Sequence, residues 1–187
     1  MEMGIEAFKE SCDKLSHQLK KIKVFLSDVD GVLTNGLLFF QGPEMGYNRF
    51  FNALDGHGFK YLKEANIKVG VITGGHSYGV KKRFADLNLD FLYFGNEDKR
   101  FAFKEILSQG YAPENIAYIG DDFIDLPILK KVGLAVTVPH ASFEVKHHCH
   151  YVTYRKAGEG AAREVMDMIR YAQGIIPKIP DFETKIL

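Results

Sequence analysis

The stretch "VFLSDVDGVLTNG", residues 24–36, places Asp28 and Asp30 one residue apart, directly behind a short apolar run. The run reads as a buried strand. Two carboxylates at its end repel each other unless they are paired or share a cation. A strand that ends this way marks the sheet edge at which partners for the acids should be sought.

Working outward, further near-continuous apolar runs follow: "VGVI" (69–72), "FLYF" (91–94), "IAYI" (116–119) and "LAVTV" (134–138). Such runs suit strands covered on both faces. Helical patterns fill 57–66, 77–88, 99–109, 123–131 and 159–172. Strand and helix in alternation predict an α/β fold, a Rossmann-like parallel sheet flanked by helices. "LLFF" and "YNRFF" around "QGPEMG" predict an inserted β-hairpin over 37–51. Within residues 1–22, Ile5, Phe8, Cys12, Leu15, Leu19 and Ile22 form one stripe of a helix that packs on the domain or on a partner. The tail, 174–187, carries Pro177 and Pro180 and should be extended. Its Ile175, Ile176, Ile179, Phe182, Ile186 and Leu187 make it apolar enough to lie against something.

The chain of 187 residues suits one domain, 1–187, and shows no linker or repeat. Lys+Arg and Asp+Glu are both 24, so nothing in the charge balance favours nucleic acid or an anionic membrane as a partner. Apolar runs stay below the ~18 residues a membrane span needs, and no signal peptide is evident. Cys12 and Cys149 have no metal-type spacing and read as thiols of a cytoplasmic protein. In "HHCH" (147–150), adjacent residues of an extended segment would face opposite ways, so the run reads as a polar loop feeding the short strand "YVT".

In an open parallel sheet, ligands bind beyond the carboxyl ends of the strands. There the chain offers Asp28 and Asp30, then "TGGHS" with Thr73 and Gly74, then "GNEDK" with Lys99, then "GDDFID" with Asp121, Asp122 and Asp125. Together these predict a phosphoryl-transfer site. A carboxylate cluster suits Mg²⁺, which takes one or two protein carboxylates plus phosphate oxygen. One Asp can attack phosphorus, and a second can give a proton to the leaving alkoxide and take one from water. Thr73, backbone N–H groups near Gly74 and the Lys99 ammonium would hold the equatorial oxygens.

In order and kind, D-x-D-G-x-L-T, the strand-end Thr, the Lys and G-D-D-x-x-D resemble the haloacid dehalogenase superfamily. The resemblance implies Asp28 as nucleophile and Asp30 as acid/base. It gives Mg²⁺ to Asp28, the Asp30 backbone carbonyl and Asp121, with Asp122 or Asp125 in support, and phosphate to Thr73, Gly74 and Lys99. Between the motifs, residues 31–72 and 75–98 are used up by the hairpin, two helices and two strands, which leaves no room for a cap domain. "DVDGVLTNG", "FNALDGHG", "YAPENIAYIGDDFIDLPILKKVGLAVTV" and "GEGAAREV" further resemble the sugar-acid phosphatases that act on 3-deoxy-manno-octulosonate 8-phosphate, which are capless homotetramers. Phosphatases of nine-carbon sugar-acid 9-phosphates are similar. By that resemblance Asn52, Asp55, Gly56, Lys60 and Arg83 line the substrate site, with Lys60 where Arg is usual. Gly75 stands where the two groups carry Arg or Glu, so neither signature is present and the sugar stays open.

Two rival classes use related chemistry. A phospho-acceptor signalling domain would carry the acid pair and the acceptor in the reverse order. A capless phosphatase of macromolecules would be a monomer with an open groove.

Overall fold

The computed structural model describes residues 4–179 and 181–182. Six parallel strands form one sheet: β1 (Val24–Ser27), β4 (Lys68–Thr73), β5 (Phe91–Phe94), β6 (Ile116–Ile119), β7 (Leu134–Thr137) and β8 (Tyr151–Val152). Their order is β5-β4-β1-β6-β7-β8, which puts β1 in the middle with β4 and β6 on either side. β1 and β6 are buried along their whole length. That placement explains their unbroken apolar character, because both faces are covered. The predicted hairpin is a separate antiparallel ribbon, β2 (Phe39–Phe40) with β3 (Tyr47–Asn48).

The helices are α1 (Ile5–Lys14), α2 (Ser16–Leu19), α3 (Ala53–Glu64), α4 (Tyr78–Asp86), α5 (Arg100–Ser108), α6 (Leu126–Leu129), α7 (Phe143–His147) and α8 (Ala161–Ala172). Residues 31–72 hold only the hairpin, α3 and β4, and 75–98 only α4 and β5, so the site edge carries no cap domain. No helix among the described residues is long and apolar enough to cross a membrane.

Several boundaries differ from the sequence reading. α3 starts at Ala53 instead of residue 57, capped by the Asn52 side chain accepting from Leu54 N–H. The helix runs through Gly56 and Gly58, both buried against neighbouring side chains. A Cβ at Gly56 would lie 2.6 Å from the Arg83 guanidinium, and one at Gly58 2.5 Å from Met166. The predicted 123–131 helix begins as a 3₁₀ turn, Phe123–Asp125, before the short α6. The N-terminal helix is broken at Leu15 (φ −104°, ψ 10°). Its stripe from Cys12 to Ile22 is buried, and Phe8 meets Tyr171 of α8 edge-on at 5.6 Å. The stripe therefore packs on its own chain, except Ile5, which is exposed.

The HHCH run is not an extended loop throughout. His147 ends α7, and His150 brackets Ala135, its N–H donating to that carbonyl and its Nδ1 accepting from that N–H. The pair steers the chain into β8. In the tail, Ile175 packs on the core, whereas Ile176, Ile179 and Phe182 are exposed. Ile186 and Leu187 lie outside the described residues.

Candidate active site

The chain leaves β1 at Ser27 and turns at once. Asp28 N–H still donates to the Ile119 carbonyl of β6 at 2.9 Å, which fixes Asp28 over the gap between the two strands. Gly31 then takes φ +90°, and a Cβ there would lie 2.1 Å from the Asp121 carboxylate. Only glycine lets the turn after β1 approach the acid that follows β6. Asp28, Asp121 and Asp125 consequently bring carboxylate oxygens within 4.8 Å of one another.

The three acids are not equivalent. Asp125 is fully engaged: one oxygen receives Lys99 Nζ at 2.6 Å and the Tyr118 hydroxyl at 2.5 Å, the other the N–H groups of Asp121 and Asp122 at 3.0 and 3.1 Å. Asp122 caps the same 3₁₀ turn through Phe123 N–H. Asp125 therefore folds the loop and positions Lys99, whereas Asp28 meets Lys99 through one oxygen only and Asp121 has His140 Nε2 at 3.7 Å.

Lys99 is 2% exposed, at the start of α5, and its ammonium bridges Asp28 and Asp125. Burial opposes its charge, but Asp28 and Asp125 more than offset that and hold its pKa above the usual lysine value. Asp28 is pushed up, first by burial and then by Asp125 and Asp121, against the pull of Lys99. Burial and repulsion from Asp125 push Asp121 up to about 7. Buried acids held above their normal range are what a cation-binding set shows when its own lysine cannot balance it. The donor set, hard oxygens on an open sheet edge, fits Mg²⁺.

At the end of β4, Thr73 is 2% exposed and its hydroxyl accepts from Gly75 N–H at 3.0 Å. Thr73, Gly74 and the next turn thus sit beside the acids, as their strand order requires. Asp30 is not one of the three clustered acids. Its two oxygens receive Nε and Nη2 of Arg49 at 2.6 and 2.7 Å, and Thr34 Oγ1 approaches at 3.3 Å.

The residues expected to line the substrate site gather at a second place. Asn52 donates to the Gly158 carbonyl at 3.2 Å. Asp55, 3% exposed, accepts from Arg163 N–H at the start of α8 at 2.7 Å, and burial pushes its pKa up to about 6. Arg83 lies 5.9 Å over the Phe51 ring, beside Gly56. Lys60 is solvent-exposed, on a groove of about 500 Å³ that His57, Lys63 and Arg83 also line. In the described chain, Asn52 and Asp55 thus join α3 to α8.

The sequence reading missed Arg49 and Tyr118. Tyr118 had a visible signal, a hydroxyl inside an otherwise apolar central strand that must find a partner. Arg49 is a lone cation among the hairpin aromatics, and its role depends on where the hairpin folds.

A family model for haloacid dehalogenase-like hydrolases matches residues 92–165. The 3-deoxy-D-manno-octulosonate 8-phosphate phosphatase KdsC of Salmonella typhi is 41% identical over 158 residues, 83% of this chain and 82% of that protein. The Yersinia pestis KdsC is 38% identical over 179 residues, 91% of this chain and 94% of its own. The chain belongs to the KdsC family of haloacid dehalogenase-like phosphatases. The family fold is shared over most of the chain: the crystal structure of the Yersinia pestis enzyme matches at TM-score 0.82 with 39% identity, covering 87% of this chain and 88% of that one. A Moraxella catarrhalis family member, solved with a magnesium ion, a phosphate ion and a KDO molecule, matches at TM-score 0.82 with 32% identity, covering 87% and 93%.

Proposed function

We propose that this chain is a Mg²⁺-dependent phosphatase that hydrolyses 3-deoxy-D-manno-octulosonate 8-phosphate through an aspartyl-phosphate on Asp28. The observation that carries the reading is the Asp28–Lys99–Asp125 arrangement with Asp121 beside it, in a chain about 40% identical to phosphatases of that substrate.

An Asp28 carboxylate oxygen attacks phosphorus, and the phosphorus–oxygen bond to the sugar breaks. Asp30 gives its proton to the departing oxygen. Water then attacks the same phosphorus, Asp30 takes its proton, and the bond to Asp28 breaks to release phosphate. Lys99, the Thr73 hydroxyl and the backbone near Gly74 hold the phosphoryl oxygens as charge shifts among them. Mg²⁺ would be held by Asp28, the Asp30 carbonyl and Asp121, and when bound it supplies positive charge against the acids and the phosphate.

We also propose a homotetramer in the cytoplasm. Leu37, Leu38, Phe39, Phe40, Tyr47 and Phe50 leave the hairpin with an exposed apolar face, which supports assembly in a protein whose site carries no cap. Truncation after Gly174 tests whether the tail covers a neighbour's site; unchanged kcat and KM would remove that role.

The test of the function is phosphate release with Mg²⁺ across octulosonate 8-phosphate, nine-carbon sugar-acid 9-phosphates, hexose phosphates and a phosphopeptide, with Asp28→Asn as control. Selective turnover of the octulosonate ester supports the reading. Preference for a nine-carbon ester, which Gly75 leaves open, would replace it, and turnover surviving in Asp28→Asn would refute the nucleophile.

A further inference from the structure

The contacts of Asp30 point to a residue outside the recognised motifs. Arg49 follows β3 at the base of the hairpin, with its side chain only 5% exposed. Its guanidinium meets both Asp30 oxygens, and Nη1 donates to Ser77 Oγ at 3.0 Å and to the Tyr47 carbonyl at 3.3 Å. Ser77 occupies the N-cap of α4, yet its side chain makes no capping bond and accepts from Arg49 instead. The hairpin base is seated close by, since a Cβ at Gly79 would lie 2.0 Å from Asn48 Oδ1. Arg49 is thus delivered by a close fit between hairpin and α4.

Gly75 completes the arrangement. A Cβ there would lie 3.1 Å from Arg49 Nη2, 3.2 Å from Asp30 Oδ2 and 3.4 Å from Thr73 Oγ1. Gly75 is not in the left-handed region, so its backbone does not require glycine. The crowding lies beside Arg49, where the neighbours would have to shift to admit a side chain. Any side chain at 75 starts against the guanidinium and the carboxylate together.

We propose that Arg49 is a positioning residue for Asp30, and that Gly75 is bare to admit its guanidinium. The bidentate contact fixes the plane of the Asp30 carboxylate, and a guanidinium has no acceptor to take the transferred proton. It favours the carboxylate that receives a proton from water, and one of its two contacts gives way when Asp30 carries the proton it delivers. The proposal rests on the reading of Asp30 as proton donor and acceptor, and Asp30→Asn tests that reading separately.

The experiment compares kcat/KM on two esters, because kcat/KM reports only the steps through release of the alcohol. A sugar phosphate loses an alkoxide and needs the Asp30 proton, whereas p-nitrophenyl phosphate loses a stable phenolate and does not. If Asp30→Asn fails to discriminate between the esters, the reading of Asp30 falls, whatever Arg49 does. With that reading intact, Arg49→Ala should lower kcat/KM for the sugar phosphate by about 10- to 100-fold, the range for losing a hydrogen bond to a charged group. It should change p-nitrophenyl phosphate turnover little. Arg49→Lys keeps the charge without the two-pronged contact and should fall between. Gly75→Ala should show the same ester-selective loss more weakly, and none when added to Arg49→Ala. Equal losses on both esters, no loss in Arg49→Ala, or a Gly75→Ala effect that persists without Arg49 would each overturn the proposal. Circular dichroism and thermal melts establish folding. Should Arg49→Ala fail to fold, Arg49→Lys and Gly75→Ala carry the same comparison.

Discussion

Replacing Lys99 by Met removes the cation that Asp28 and Asp125 share while keeping an unbranched side chain one atom shorter. The Lys99 and Asp125 side chains are each 1% exposed and Asp28 is 7% exposed, so water cannot take over the lost contacts. Removing one partner of such a buried pair costs about 3–5 kcal/mol, because the remaining charges stay buried and uncompensated. At 2–4 °C per kcal/mol for a chain of this size, the melting temperature should fall by roughly 6–20 °C near neutral pH in EDTA. The abandoned carboxylates can escape by taking up protons, at about 1.4 kcal/mol per pH unit. The loss should therefore shrink toward pH 5 and grow toward pH 8. Mg²⁺ should return part of it by mass action on the folded state. The assay is thermal unfolding by circular dichroism at both pH values, with EDTA and with Mg²⁺. A drop below about 2 °C at pH 8, or a loss that grows toward acid, would refute the view that Lys99 balances these acids.

Three further outcomes are expected. In EDTA the wild-type protein should lose stability as pH rises from about 4 to about 7. Asp121 at about 7, Asp55 at about 6 and the raised Asp28 keep protons in the folded state that the unfolded chain releases from about pH 4 upward, and urea midpoints near pH 5 and pH 8, with and without Mg²⁺, measure this. At pH 5, where Asp55 keeps its proton, Asp55→Ala should free Arg163 N–H at the start of α8 and lower stability by about 1 kcal/mol, as losing a helix cap does, and the loss should shrink toward pH 8; chemical denaturation at both pH values reads it. Gly70→Ala should cost about 1–3 kcal/mol by overpacking, since its Cβ would meet the Phe91 Cβ at 2.4 Å and the Phe91 carbonyl at 2.6 Å across the β4–β5 pairing; a lowered urea midpoint checks it.

The parallel sheet was legible because its central strands are buried on both faces and so must be apolar throughout; "VFLS" and "IAYI" are β1 and β6 without a shift. The hairpin was legible from the Gly/Pro turn between two aromatic runs, although only Phe39–Phe40 and Tyr47–Asn48 pair. The start of α3 was not, because Gly56 weakens the local helix signal while the Asn52 cap and packing against α8 hold the helix from Ala53. Local propensity carries no record of such neighbours. The short strand β8 was anticipated, but the way His150 holds Ala135 to place it was not.

The sequence by itself determined the order of the acids, the threonine and the lysine along the chain, and with it the chemistry at the strand ends. Side-chain periodicity and motif spacing are local, and they survive without coordinates. Only the tertiary structure decided how those groups divide the work. It gave both oxygens of Asp125 to Lys99, Tyr118 and two backbone N–H groups, while Lys99 reaches only one oxygen of Asp28 and Asp121 stands beside them. It also carried Arg49 from the hairpin onto Asp30 beside Gly75. Those outcomes depend on which loops fold over the same sheet edge: Lys99, Asp28 and Asp125, 26 to 97 positions apart, meet there because the parallel crossovers return every strand end to one side, and the hairpin brings Arg49 to the same edge.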